Sequence, residues 1–260
     1  DEAPRFLDKW FALPALLDRD SETRKLRLLD AIRNTRSVRA LAGNPLLLTL
    51  MCLISRNREL PKRRVELYEE AAKLLLHQWD ASRDIPSASR DRTIEHREKS
   101  EMLQRLAHTM QMGSEAMRGN IIDGTRLEDI IRDYLLENVG FSRPESLSLS
   151  RKIIDQLRER NFVISFVGND HYAFVHRTFL EYFTARYLNE ELANQGKFED
   201  IKAILRSNWR NETWREVFRL LVGLLRPDRT IELIELLLEG NPDPLGISNV
   251  LFAAELYGEL

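Results

Sequence analysis

The stretch Phe162-Val163-Ile164-Ser165-Phe166-Val167-Gly168-Asn169-Asp170-His171-Tyr172-Ala173-Phe174-Val175 decides the fold. Aromatic and β-branched residues flank Gly168-Asn169-Asp170, which spells two strands joined by a three-residue hairpin turn. Just upstream, after Pro144, the spacing of Ile153, Ile154 and Leu157 predicts a helix that ends at Asn161. Before it, Thr125 and Glu128 form a capping-box signature ahead of Leu127, Ile130, Ile131, Tyr134 and Leu135. A further helix runs from Glu95 through Met102, Leu103, Leu106 and Met110, and a loop with Gly113, Gly119 and Gly124 follows it. Three helices and then a hairpin is the order of a winged helix, and no other convincing strands are expected in the chain.

Outward from this centre the chain is helical. Val65, Tyr68, Ala72, Leu75 and Trp79 share one helix face. Gly43-Asn44-Pro45 ahead of Leu46, Leu47, Leu48, Leu50, Met51, Leu53 and Ile54 places Asn at an N-cap and Pro at the first helical position, so a buried helix starts at Pro45. Downstream, Phe179, Tyr182, Phe183, Arg186 and Tyr187 read as an amphipathic helix. Val217, Leu220, Leu221 and Leu224 mark another, closed by Pro227. Ile231, Ile234, Leu237 and Leu238 mark one more, closed by Pro242 or Pro244. The fold class is therefore mainly α: a helical domain over 1–80, a polar linker over 81–94, a winged-helix domain with one β-hairpin over 95–190, and C-terminal helices over 191–260. Those last helices read as the start of a solenoid, although no exact repeat period is found.

Composition excludes several functions. Lys plus Arg total 39 against 41 Asp plus Glu, a net charge of -2, so no global basic excess marks a dedicated nucleic-acid binder. The single cysteine, Cys52, cannot form an internal disulfide and sits among apolar residues as a core thiol of a reducing compartment. Pro45 to Ile54, the longest apolar stretch, is half of the ~20 residues a membrane span needs, so no membrane is expected and the cytoplasm is the default. Opening on Asp1, the chain reads as an excerpt of a longer protein.

Chemistry-bearing motifs are sparse. Gly119 to Thr125 has the glycine spacing of a phosphate loop but no Lys, and Leu28-Leu29-Asp30 lies in a helical, Arg-rich context rather than at a strand end. His77, His96, His108, His171 and His176 show no i,i+4 pairing, so no metal site is expected. No Gly-x-Ser-x-Gly elbow nominates a hydrolase nucleophile. The chain is not expected to be an enzyme.

Two blocks carry a family resemblance. Gly43-Asn44-Pro45-Leu46-Leu47-Leu48-Thr49-Leu50, followed by Leu60-Pro61, Arg64, Glu66-Leu67-Tyr68 and Trp79, resembles the helical segment after the nucleotide-binding core of NACHT-family signal-transduction (STAND) NTPases. Phe174-Val175-His176-Arg177-Thr178-Phe179-Leu180-Glu181-Tyr182-Phe183-Thr184-Ala185 resembles the signature at the end of that family's winged helix. The blocks stand in the family's order and, with the helices between them, span roughly residues 1–190. The resemblance implies the regulatory part of an ATP-driven switch of the NOD-like immune-receptor kind, related to bacterial defence proteins. In such a switch a P-loop core, a helical domain and a winged helix close around ADP, and nucleotide exchange opens them for oligomerisation. It implies that Pro45 packs against the adenine, that His176 donates a hydrogen bond to the terminal phosphate, and that Gly43 and Asn44 shape the approach. The phosphate- and magnesium-binding motifs of the core are absent from these 260 residues. The implied partner is thus an upstream P-loop core, with ADP or ATP bound in the intact parent and not tightly by this chain alone; the trigger ligand is not identified.

Other classes stay open at this level. A DNA-binding winged helix would use Arg151, Lys152, Arg158 and Arg160, a surface that Asp155 and Glu159 interrupt. An interaction scaffold would use the helices after Gly196, with Trp209 and Trp214 as candidate interface aromatics, although packing of the terminal helices on the winged helix explains both tryptophans more simply.

Overall fold

The computed structural model describes residues 2–13, 20–56, 58–81, 94–113, 120–159, 163–239 and 247–259, so nearly all of the expected linker lies outside the described residues. The chain divides into two compact units, Asp1–Leu74 and Leu75–Leu260. As expected, the structure is mainly helical with a small antiparallel sheet.

The first unit holds α1 (Glu2–Phe11), α2 (Ser21–Asn34), α3 (Arg36–Ala42), α4 (Pro45–Ile54) and the first turns of α5 (Arg64–Ala81). α4 begins where the sequence places it. It is apolar nearly all round and buries Leu47, Leu48, Leu50, Met51, Cys52 and Ile54, as a helix without a polar face must. Burial pushes the Cys52 thiol up to about 12, so it stays protonated and inert at neutral pH. Lys25 on α2 reaches Asp8 on α1 at 3.0 Å.

In the second unit, α6 (His96–Met112), α7 (Gly124–Tyr134) and α8 (Arg143–Glu159) precede β2 (Ile164–Gly168) and β3 (His171–Phe174), the winged-helix order. Three details differ from the sequence expectation. The turn residues are Asn169 and Asp170 alone, both at positive φ (49° and 55°), while Gly168, at φ 96°, belongs to β2, whose register shifts between Phe166 and Gly168. Positive φ at both central residues is the geometry that follows the right-handed twist of a two-stranded ribbon. A third strand, β1 (Ile122–Asp123), pairs antiparallel with β3, giving the order β1-β3-β2. Finally, the N-cap of α7 is Asp123 rather than Thr125. Pairing with His171 holds Asp123 extended, and its carboxylate accepts from the Arg126 N–H at 2.9 Å.

Gly124, the residue after this cap, lies against the hairpin turn. Its N–H donates to the Asp170 carbonyl at 2.7 Å, and a Cβ placed there would meet the Asp170 carboxylate at 2.5 Å. Gly124→Ala is therefore expected to cost about 1–3 kcal/mol, read as a lowered urea midpoint. A variant as stable as the parent would show that the Asp170 carboxylate yields freely.

α9 (Arg177–Tyr187) is the centre of the second unit. The sequence reads it as amphipathic, yet Phe179 through Ala185 are all buried. α6 and α11 (Glu212–Leu224) cover it from two sides and β3 meets its start, so water is excluded from this central run while Arg177 and Arg186 at the ends stay partly exposed. The polar residues in this run are satisfied locally: Thr184 donates to the Leu180 carbonyl at 2.8 Å, and Glu181 accepts from Arg177 at 2.9 Å. Phe183 packs beside Phe174 and Tyr182, with ring centroids 6.1 and 5.3 Å away.

After a π turn over Leu188–Ala193, the chain continues as α10 (Phe198–Asn208), α11, α12 (Pro227–Glu239) and α13 (Ser248–Tyr257). Trp214 on α11 is buried and stacks on Phe218, so it belongs to the core. The Gln111 side chain on α6 donates to the Thr213 carbonyl at 3.0 Å, tying α11 to the winged helix. Pro227 opens α12 instead of closing α11, as its fixed φ and missing N–H allow at a first helical position. The buried face of α12 is Thr230, Leu233 and Leu237, while Ile231 and Leu238 are half exposed. The Thr230 hydroxyl, donating to the Val222 carbonyl, explains how a threonine holds that inner position.

Candidate functional site

The residues singled out by the sequence sit at two helix starts, one in each unit. In the first unit, α3 ends at Ala42 with Gly43 as its C-cap, and α4 starts two residues after that cap. Asn44 is extended and its side-chain oxygen accepts from the N–H groups of Leu46 and Leu47 at 3.0 and 3.3 Å. This satisfies two of the N–H groups that a helix start leaves without intrahelical partners. Pro45, at the first helical position, is exposed. Gly43 has an ordinary φ of -69°, is exposed, and among the described residues a Cβ there would meet nothing nearer than the Ala40 carbonyl oxygen at 3.8 Å. The local fold therefore does not itself require glycine at position 43. Gly43 and Pro45 offer a low, side-chain-poor, apolar step beside a capped helix.

In the second unit His176 is the N-cap of α9. β3 delivers the chain to this point: Phe174 is buried, and the Val175 N–H donates to the Val163 carbonyl at 2.9 Å, holding the backbone extended up to His176. The imidazole Nδ1 accepts from the Thr178 backbone N–H at 3.3 Å and lies 3.0 Å from the Thr178 hydroxyl. A ring nitrogen that accepts from an amide carries no proton, so the proton of the neutral ring is on Nε2. Burial lowers the His176 pKa from its ordinary value, which favours the neutral ring. The cap thus turns His176 into a neutral Nε2–H donor fixed at the positive end of a helix, an arrangement that suits an anionic oxygen. Thr178 completes the cap from inside the helix. Its signal is the spacing His-x-Thr, in which a residue two places into a helix meets the cap side chain.

The residues of the DNA-binding alternative are placed only in part. Arg151 on α8 is paired with Glu128 on α7 at 3.1 Å, whereas the Arg158 side chain and Arg160 lie outside the described residues. Among the described residues no group of His, Cys, Asp and Glu is placed to hold a metal ion, and no helix is long and apolar enough to cross a membrane.

A family model described as the winged helix-turn-helix domain C-terminal to NACHT matches residues 64–188. No curated protein and no solved structure matches the chain. The matched segment runs from α5 to the end of α9 and takes in the sheet, the turn and the histidine cap. The hairpin that carries the chain to His176, and the buried helix His176 opens, are thus parts of a winged helix-turn-helix domain of the family found C-terminal to NACHT.

Proposed function

We propose that this chain is the regulatory segment of a NACHT-type signalling switch, a STAND NTPase related to NOD-like immune receptors and acting in the cytoplasm. Its helical segment and winged helix close over ADP or ATP held by an upstream P-loop core, and release of that closure permits oligomerisation and signalling in immune defence. The family match supports a regulatory role beside NACHT, and a winged helix of this kind is not itself catalytic. The observation that carries the nucleotide reading is the His176 cap. Its Nδ1 accepts from Thr178, which puts the proton of the neutral ring on Nε2, a donor of the kind that a terminal phosphate takes. Gly43 and Pro45 support the same reading from the first unit, because an exposed proline at the start of α4 offers an apolar surface to a base.

The physical logic is a linkage. A ligand held only in the closed state at 100 times its dissociation constant stabilises that state by about 2.7 kcal/mol, which strongly biases a two-state element. The test separates the two jobs of His176 in the full-length protein with its nucleotide-binding core. His176→Asn retains a good N-cap but cannot reach a phosphate with Nε2–H, whereas His176→Ala removes both functions. A hydrogen bond to a charged group contributes about 1.5–3 kcal/mol, so both variants are expected to release ADP on the order of tenfold or more faster than the parent. The Asn variant should keep nearly the parent's thermal stability. An Asn variant that retains ADP as tightly as the parent would remove His176 from the nucleotide site.

A further inference from the structure

The first unit contains a cleft of about 830 Å³ between α2 and the segment from Ser55 to Lys62, and neither Gly43, Asn44 nor Pro45 lines it. This volume is within the range of small-molecule sites. Its wall is basic. Arg24 and Arg27 enter from α2, and Arg56, Arg58 and Lys62 from the segment between α4 and α5. Arg58 is engaged by Glu70. Arg27, Arg56 and Lys62 are exposed, and among the described residues their charged groups have neither an ion-pair nor a hydrogen-bond partner. Cations brought to one concavity from separate segments and left unneutralised repel one another, and an anion placed among them relieves that repulsion.

Two further features narrow the ligand. Leu28, Val38, Leu60 and Pro61 also line the cleft, with Leu28 and Val38 almost wholly buried, so part of the wall is apolar and firmly packed. Asp20, Asp30 and Glu59 stand in the same wall. These carboxylates oppose a long polyanion such as nucleic acid, but leave room for a compact dianion at the arginines and lysine. We infer that this cleft binds a small organic phosphate, its ring or chain against the Leu60-Pro61 side and its phosphate taken by Arg27, Arg56 and Lys62. This site is separate from the nucleotide reading of His176 and does not depend on it.

The test uses the 260-residue chain and 1-naphthyl phosphate, which combines an apolar ring with a dianion and reports binding by fluorescence. Saturable binding is expected, weakening several-fold from low to physiological salt, with 1-naphthol and inorganic phosphate each binding more weakly. The variant carrying Arg27→Gln, Arg56→Gln and Lys62→Gln should lose about tenfold or more in affinity. The altered side chains are exposed, and unchanged circular dichroism would show that the fold is kept. His176→Asn should bind the probe as the parent does, which separates this cleft from the proposed nucleotide site. Absence of saturable binding, or binding unchanged in the triple variant, would overturn the assignment. So would duplex DNA captured through the same side chains in preference to the probe.

Discussion

Phe183→Ala should destabilise the second unit by about 3–5 kcal/mol. Phe183 is fully buried in the middle of α9, with aromatic neighbours in β3 and in its own helix. Truncation removes the transfer free energy of a phenyl ring and leaves a cavity that packing from α6, α11 and β3 cannot readily fill. The measurement is urea unfolding followed by near-ultraviolet circular dichroism, which reports the packed aromatic side chains. Ile231→Ala is the control: Ile231 is 47% exposed on α12, so its truncation should cost no more than about 0.5 kcal/mol. Similar costs for the two variants would mean that α9 is not the central helix of this unit.

The second large effect is a loss of stability in acid, traced to His108. This histidine on α6 stacks on Tyr187 of α9 with ring centroids 4.1 Å apart. Among the described residues its Nε2 is buried without a hydrogen-bond partner, and burial pushes its pKa down to about 4. An unfolded chain protonates the same ring near pH 6.5. Below about 6.5 the unfolded state therefore takes up a proton that the folded state refuses, and stability falls as the pH falls. The loss is about 2 kcal/mol at pH 5 and levels off near 3 kcal/mol once the pH passes below about 4, where the folded form also protonates. His176, whose pKa is also lowered by burial, contributes in the same direction. His108→Phe retains an aromatic stack on Tyr187 and removes the titration. Its stability should match or exceed the parent's near neutrality and decline less towards about pH 5, as measured by urea unfolding at both pH values. Equal acid losses in parent and variant would show that His108 is not the group responsible.

The features of this chain differ in how plainly the sequence displays them. The hydrophobic period around Met102, Leu103 and Leu106, and the aromatic run on either side of Gly168-Asn169-Asp170, are local signals, and the helices and hairpin form where they point. Asn44 before Pro45 is local as well, because an N-cap contacts N–H groups only two and three residues ahead. The position of His176 could be read in the same way, as a residue at a strand-to-helix junction. Its tautomer could not, because that depends on which atom of the ring faces the Thr178 amide.

What remained hidden depends on contacts between distant segments. β1 is only Ile122–Asp123, too short for any periodic signal, and it is a strand because the edge of β3 supplies its partners. The same pairing moved the α7 cap from Thr125 to Asp123. The sequence reads α9 as amphipathic, but hydrogen bonds within the helix satisfy Thr184 and Glu181, and packing by α6 and α11 buries the whole run from Phe179 to Ala185. Ile231 and Leu238 look like inner residues of α12, but the helix buries Thr230, Leu233 and Leu237 instead, with the Thr230 hydroxyl bonded to the Val222 carbonyl. The cleft is the clearest case, since Arg27 and Arg56 share a wall only after α2 has folded beside the segment that follows α4. Neighbours a few residues apart thus set which elements form and where they start, whereas burial, the third strand and the gathering of charge follow from packing between elements distant in the chain.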